Sequence, residues 1–316
     1  MNSSFNYVSA AATATESYPV IILVGLIGNI LSFIVFSRKK FKNTIFETYF
    51  RVMAITDTIT MLYPLDLFLQ EKEPAKTFAN LYFLRCVYFE YVVYFIPAIS
   101  AWILTLISFD RMISIVFPTY LKSFRKNIKY HYLFCLLATF CSMAAYSPIL
   151  IYFQFNTYDK FDNETNQTIT YNQCDYKPES DIIPWIDLFF ANFVPALIML
   201  ILNIVTIGTL FKSRFKSSIG LTKRDIRFAF TCFTLNFFFF ILLIISQVFY
   251  LLVPFSKSLN ENEDNLINFW KTVTASVYSV NFTLIFFINL IINSMFQEEL
   301  FKMFNKILIF LCKLNK

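Results

Sequence analysis

Apolar residues in this chain come in long unbroken runs, not in the alternating or half-polar patterns of a soluble core. Seven runs stand out, at approximately 18–37, 47–70, 84–117, 131–153, 183–211, 225–254 and 267–292. At about 1.5 Å of rise per residue each is long enough to cross a hydrocarbon core of about 30 Å as a helix. A further piece at roughly 294–311 mixes apolar and charged residues at helical spacing, as a helix lying along a membrane surface would. The pattern predicts an all-α membrane protein: a seven-transmembrane helix bundle with a short amphipathic eighth helix. No internal repeat or low-complexity linker divides the runs. The expected organisation is an N-terminal segment 1–17, a helical domain 18–293, and an amphipathic helix with tail, 294–316.

The third run is the most informative. From Cys86 to Arg111 it reads CVYFEYVVYFIPAISAWILTLISFDR, with Glu90 as its one charge before the pair Asp110-Arg111. A cysteine therefore falls at one membrane face and an acid–arginine pair at the other.

Composition agrees with a membrane protein: 57% of residues are hydrophobic and 15% charged, where a soluble domain has about 25% charged. The net charge of +6 does not mark a nucleic-acid face, because the basic residues lie in loops between apolar runs. Twenty of the 27 lysines and arginines fall in one alternate set of loops and the tail. By the positive-inside rule that set faces the cytosol and the N-terminus lies outside. The sequons at Asn2, Asn163 and Asn166 then fall on the outer side, where glycosylation occurs. Asn281 also begins a sequon but lies within the seventh run. The first residues lack the basic start of a cleavable signal peptide.

Cys86 and Cys174 both fall on the outer side, where a bridge between them can form; two free thiols are the alternative. Cys135, Cys141 and Cys232 lie within apolar runs as packing residues, and Cys312 is a tail cysteine or a palmitoylation site. No nucleophile, zinc-hydrolase or phosphate-loop motif is present. The single histidine, His131, reads as a residue of the membrane interface, so enzymatic activity is not expected.

The outer cysteine, the run ending in Asp-Arg and the partner cysteine in the second outer loop together resemble the rhodopsin-like G-protein-coupled receptors. The resemblance extends over about residues 18–305. It includes Gly28-Asn29 in the first run, Asp57 in the second, Pro118 after Arg111, Pro148 in the fourth, Pro195 in the fifth, Phe239 in the sixth and Phe296 at the start of the eighth helix. It implies a plasma-membrane receptor that binds an extracellular ligand and activates a heterotrimeric G protein by outward movement of helix six.

The resemblance also implies residue roles. Asp110, Arg111 and Asp225 would form the G-protein coupling site and inactive-state lock, with Arg111 bridging to Asp225 at the start of helix six. Asp225 read alone is a helix N-terminal acid favoured by the macrodipole. A carboxylate at Asp57, within an apolar run, costs roughly 2.5–3.5 kcal/mol on insertion scales and needs partners. Asn29, Ser100 and Asn281 are available from three other runs. In the family such a cluster holds an allosteric sodium ion; the alternative is a hydrogen-bonded polar knot without an ion. No other cofactor is expected.

Some family features are absent. Met112 follows Arg111, Ala138 replaces the fourth run's tryptophan, and Asn203 stands where the fifth often has tyrosine. The sixth run has neither its proline nor its tryptophan, and Ile285–Asn289 occupies the place of Asn-Pro-x-x-Tyr. Val93 and Ser279 stand where amine receptors have aspartate and retinal pigments have lysine, so neither ligand class fits. The outer half offers Asp66, Glu90 and Asp187 with the aromatics Tyr63, Tyr91, Tyr94, Trp185 and Trp270. Such an acidic, aromatic vestibule suits a cationic ligand with aromatic groups. LTKRDIRFAFT and SVNF look most like invertebrate neuropeptide receptors of the FMRFamide type, which implies a small amidated peptide ligand. The alternatives are a chemosensory or non-signalling decoy receptor of the same fold, or a seven-helix transporter or channel. The latter would show repeats and glycine-interrupted helices, whereas the chain has four glycines and no repeat.

Overall fold

The computed structural model describes residues 15–41, 45–72, 83–117, 127–162, 167–176, 182–216, 223–252 and 261–314. Its helices are α1 (Tyr18–Phe36), α2 (Ile45–Thr60), α3 (Leu62–Lys72), α4 (Phe83–Val116), α5 (Ile128–Tyr146) and the single turn α6 (Ile149–Tyr152). A hairpin follows, β1 (Phe153–Asp162) and β2 (Gln167–Tyr176). Then come α7 (Ile182–Ile186), a π-helical turn (Asp187–Phe193), α8 (Val194–Lys216), α9 (Lys223–Leu252), α10 (Glu261–Ile292) and α11 (Ser294–Leu314).

Among the described residues, seven segments are long and apolar enough to span a membrane: Tyr18–Phe36, Glu47–Leu69, Cys86–Val116, Ile128–Tyr152, Ile182–Lys212, Ala229–Ser246 and Thr272–Ile292. These are spans one to seven, as the hydropathy pattern predicts. The bundle is arranged for hydrocarbon. On span one, Val20, Leu23, Ile27, Ile30 and Ile34 face outward, while Gly25, Gly28, Asn29 and Ser32 are buried. With lipid rather than water outside, the helices bury small and polar residues and expose large apolar ones. Span three is the central post, packing against spans two, four, five and six. Of its apolar window 67% is buried, against 22% for the peripheral span four.

Three spans are interrupted. Span two changes helix at Met61, before Pro64, and span four breaks at Ser147-Pro148. In span five the π-helical turn Asp187–Phe193 precedes Pro195. Proline has no N–H to give the carbonyl four residues back and crowds it sterically, and a widened turn relieves both. Span three continues through Pro97 as one helix. The loop between spans four and five departs from the all-α expectation. It forms an antiparallel hairpin, with Phe153 opposite Tyr176 and Phe155 opposite Cys174, that packs on the Cys86 end of span three.

Span seven turns into α11 through an asparagine joint. Asn293 accepts the Phe296 N–H at 3.2 Å, an N-cap, and donates to Asn289 Oδ1 at 3.1 Å. Phe296 is buried and packs with Phe36 and Phe286. Arg38 pairs with Glu299 at 2.8 Å, and Lys40 and Lys302 both pair with Glu298, tying the turn after span one to α11. Lys302 and Lys40 hold the Glu298 carboxyl down at about 2. That tie is therefore complete above the ordinary glutamate range and is lost as pH falls towards 2. α11 runs to Leu314, beyond the predicted 311, and presents Phe301, Phe304, Leu308 and Phe310 outward beside Lys302.

Close helix approach is tight at Gly25, where an added Cβ would lie 2.6 Å from Met61 Sδ, and at Gly28, where it would lie 3.0 Å from Phe286 Cβ, whereas at Gly208 it would meet nothing within 4 Å. Gly28→Val is expected to lower stability by about 1–3 kcal/mol through overpacking. Gly208→Ala should raise it by up to about 1 kcal/mol through helix propensity. Thermal unfolding of the two variants in detergent micelles checks the contrast.

Candidate functional site

Span three carries polar side chains in layers from Glu90 to Arg111, over about 30 Å of helix, and each layer meets different neighbours.

At the Cys86 end, Asp66 is buried and Glu90 lies within reach of its charge. Tyr94 packs on Tyr146 with ring centres 6.0 Å apart. Asp187, expected to line the ligand vestibule, is half-buried and hydrogen-bonded within the bundle. Its Oδ1 accepts from Tyr146 Oη at 2.8 Å and its Oδ2 from Asn192 Nδ2 at 3.1 Å. The π-helical turn makes this possible by bringing Asn192 inward, where it also reaches the Asp187 carbonyl at 2.8 Å. Trp185 does not line the vestibule: it is 54% exposed and stacks on outward-facing Phe189. Trp270 is half-exposed against Phe269. Cys86 is not among the free cysteines, which in the described residues are Cys135, Cys141, Cys232 and Cys312. Its Sγ lies 3.7 Å from the Gln154 carbonyl, and the hairpin register puts Cys174 opposite the next residue, Phe155. The Cys174 side chain lies outside the described residues, as do Asn2, Asn163 and Asn166.

In the middle layer Asp57 is fully buried. Ser100 donates to its Oδ1 at 2.6 Å, and Thr56 Oγ1 lies 2.6 Å from Ser100 Oγ. Asp57 Oδ2 has no hydrogen-bond partner. Asn281 joins Asp57 and Ser100 in lining a small cavity, about 20 Å³ as measured to the centre of a water-sized sphere. Asn29 stands apart from this group, donating instead to the Phe282 carbonyl at 3.3 Å. Of the three expected partners, then, one bonds Asp57, one shares its cavity and one braces span one against span seven. Tyr278 of span seven is within electrostatic reach of both Asp57 and Asp187, linking the middle layer to the Cys86 end.

One turn from the Arg111 end lies a layer that hydropathy reading misses. Asn236 of span six donates to Ser108 Oγ at 2.7 Å and to Asn203 Oδ1 at 3.2 Å, joining spans three, five and six. The available signal was a lone amide before four phenylalanines, costly in hydrocarbon unless bonded.

At the Arg111 end, Arg111 Nη2 and Asp110 Oδ2 are 2.7 Å apart and both residues are buried. The Asp225 side chain, expected to bridge to Arg111, lies outside the described residues. His131, in the first turn of span four, is turned into the bundle: it is 1% exposed, with Nδ1 3.0 Å from Tyr49 Oη. Tyr49, Asp110 and His131 share a cavity of about 40 Å³ with Leu106, Phe109, Ile113 and Phe134. The described residues contain no cluster of three or more metal-ligating side chains of histidine, cysteine, aspartate or glutamate.

A family profile described as 7 transmembrane receptor (rhodopsin family) matches residues 28–312. The chain belongs to this family. The receptor is therefore a multi-pass membrane protein of a non-enzymatic family. It is 28% identical over 199 residues to the N-arachidonyl glycine receptors of Homo sapiens and Macaca fascicularis. The matched stretch covers 62% of this chain and 57% of each relative, so the receptor matches little more than half the length of those curated proteins.

Removing the Ser100 hydroxyl leaves the buried Asp57 without its described hydrogen bond. Ser100→Ala is expected to cost about 1–3 kcal/mol, read as a lower melting temperature of the receptor in nanodiscs. Adding Asp57→Asn should recover part of that loss, because the neutral amide no longer needs the hydroxyl. Additive losses would show that the two side chains do not interact.

Proposed function

We propose that this receptor binds an extracellular ligand from the Cys86 end and activates a heterotrimeric G protein at the Arg111 end. The buried Asp110–Arg111 pair carries the reading. A permanently charged guanidinium held at a helix end by its neighbour is a switch component, since a second partner can compete for either ion. In this reading Asp225 is that competitor for Arg111, and span six moves outward when the bridge opens. The basic loops orient the Arg111 end to the cytosol and the N-terminus to the outside. Glycosylation at Asn2, Asn163 and Asn166 and a Cys86–Cys174 bridge pinning the hairpin over the bundle belong to the same orientation.

A sodium ion fits the middle layer in chemistry and size: an unsatisfied Asp57 Oδ2, Ser100 and Asn281 surround a cavity for one small guest. Those residues would hold it, and it would neutralise the carboxylate.

For the ligand, Asp66 and Glu90 favour a cationic group, and the surrounding tyrosines favour aromatic ones. This supports a small amidated peptide of the Arg-Phe type. The relatives are named for an acidic acyl lipid, the competing ligand class. The test is a G-protein activation assay in cells expressing the receptor, challenged with amidated peptides and with N-arachidonyl glycine beside an Arg111→Ala control. A peptide response lost in the control, with potency reduced about tenfold or more by Glu90→Gln, is the expected result. Asp187→Asn should lower surface expression rather than potency, since Asp187 holds the bundle. A response to the acyl glycine alone would overturn the peptide assignment and leave the receptor reading in place. Silence toward both, with surface expression confirmed, would favour the chemosensory or decoy alternative.

A further inference from the structure

Span six of this receptor lacks any proline from Lys223 to Leu252, so its helix is unbroken. Its inward stripe is Cys232, Leu235, Asn236, Phe239 and Leu243, all buried, which fall on one face of the helix. Asn236 is the polar member. Its hydrogen bonding fixes how its amide is turned. Ser108 spends its one hydroxyl proton on the Leu104 carbonyl at 2.9 Å, so Ser108 Oγ can only accept. Asn236 must therefore present Nδ2, whose two hydrogens go to Ser108 on span three and Asn203 on span five. Asn236 Oδ1 is left buried with no hydrogen-bond partner.

We infer that Asn236 is a positioning residue: a clasp that holds span six against spans three and five and sets the resting balance of the receptor. The inference rests on the receptor reading above and deepens it, by naming what restrains helix six where the proline hinge is absent. An unbroken helix cannot open by bending at a proline, so it leaves as a rigid rod. The Asn236 amide, one turn from buried Phe239, is then a polar contact that must break. Both partners are side chains on helices that stay behind, so both bonds are lost together when the rod moves. Asn236 Oδ1 has nothing to lose in that movement and gains a partner if water enters.

The test reads the clasp and the coupling separately. Hydrogen–deuterium exchange of span six is measured by mass spectrometry on purified receptor in nanodiscs, with no G protein present, for Asn236→Leu and for Thr234→Val. Thr234 lies on the exposed face of the same helix and bonds only back to Phe230 among the described residues. Ligand-independent G-protein activation is measured for the same variants in cells. Asn236→Leu is expected to speed exchange in span six and to raise basal signalling about fivefold or more, while Thr234→Val changes neither. If Asn236→Leu does not reach the surface, Ser108→Ala and Asn203→Ala remove the partners singly, and each should give a smaller change in the same direction. Unchanged exchange in the Asn236 variant, or in both partner variants where they stand in for it, overturns the clasp whatever the signalling assay shows. Faster exchange with no signalling from any version, wild type included, sustains the clasp and counts against G-protein coupling instead.

Discussion

The bundle depends on one constraint: the polar side chains of span three have no water to turn to. Ser100, Ser108, Asp110 and Arg111 lie on the most buried helix of the molecule. Each must find its partner on its own helix or a neighbouring one. Those partners dictate which face of each neighbour turns inward: Asp57 and Thr56 for span two and Asn236 for span six, with Asn203 of span five held in turn by Asn236. Single bonds of this kind average only about 0.6 kcal/mol in membrane proteins. Their effect on orientation is larger than their effect on stability, because rotating any helix away would strand a polar group in hydrocarbon.

The polar layers are not fully satisfied. Asp57 Oδ2, Asn29 Oδ1 and Asn236 Oδ1 are buried acceptors without hydrogen-bond partners, distributed from the middle of the bundle to its Arg111 half. A structure with spare acceptors beside a cavity can change partners at little cost, which is how a packed core comes to have two discrete arrangements rather than one. The interruptions of regular helix add to this freedom. Pro195 forces a widened turn that presents Asn192 to Asp187, and the break at Met61 separates the half of span two that holds Asp57 from the half that holds Asp66.

The chain's hydropathy made the seven spans and the amphipathic eighth helix legible, since about 30 Å of hydrocarbon leaves few ways to satisfy a backbone. Asp57 and the Asp110–Arg111 pair were legible because a charge in an apolar run stands out. Which partners they take was less so. Ser100 and Asn281 meet Asp57 while Asn29 bonds the Phe282 carbonyl, a difference of side-chain rotation that periodicity does not encode. The partners of Asp187 were not legible, because one of them comes from a π-helical turn, and a widened turn shifts the facing of Asn192 in a way regular spacing cannot anticipate. The burial of His131 was not legible, because it depends on Tyr49 from another span. The hairpin was invisible to a reading tuned to helices, although its strands carry several tyrosines and threonines.

His131 is the only histidine of the chain, and it is packed edge-on against Tyr49 beside the cavity that Asp110 lines. The receptor thus carries a built-in spectroscopic reporter at its Arg111 end. Histidine-selective isotope labelling yields one imidazole, with no assignment to make and no foreign group to introduce. The chemical shifts of that ring respond to the hydroxyl of span two and to the charge pair of span three at once. A protein that owns a single imidazole beside its acid–arginine pair can be watched there without being altered.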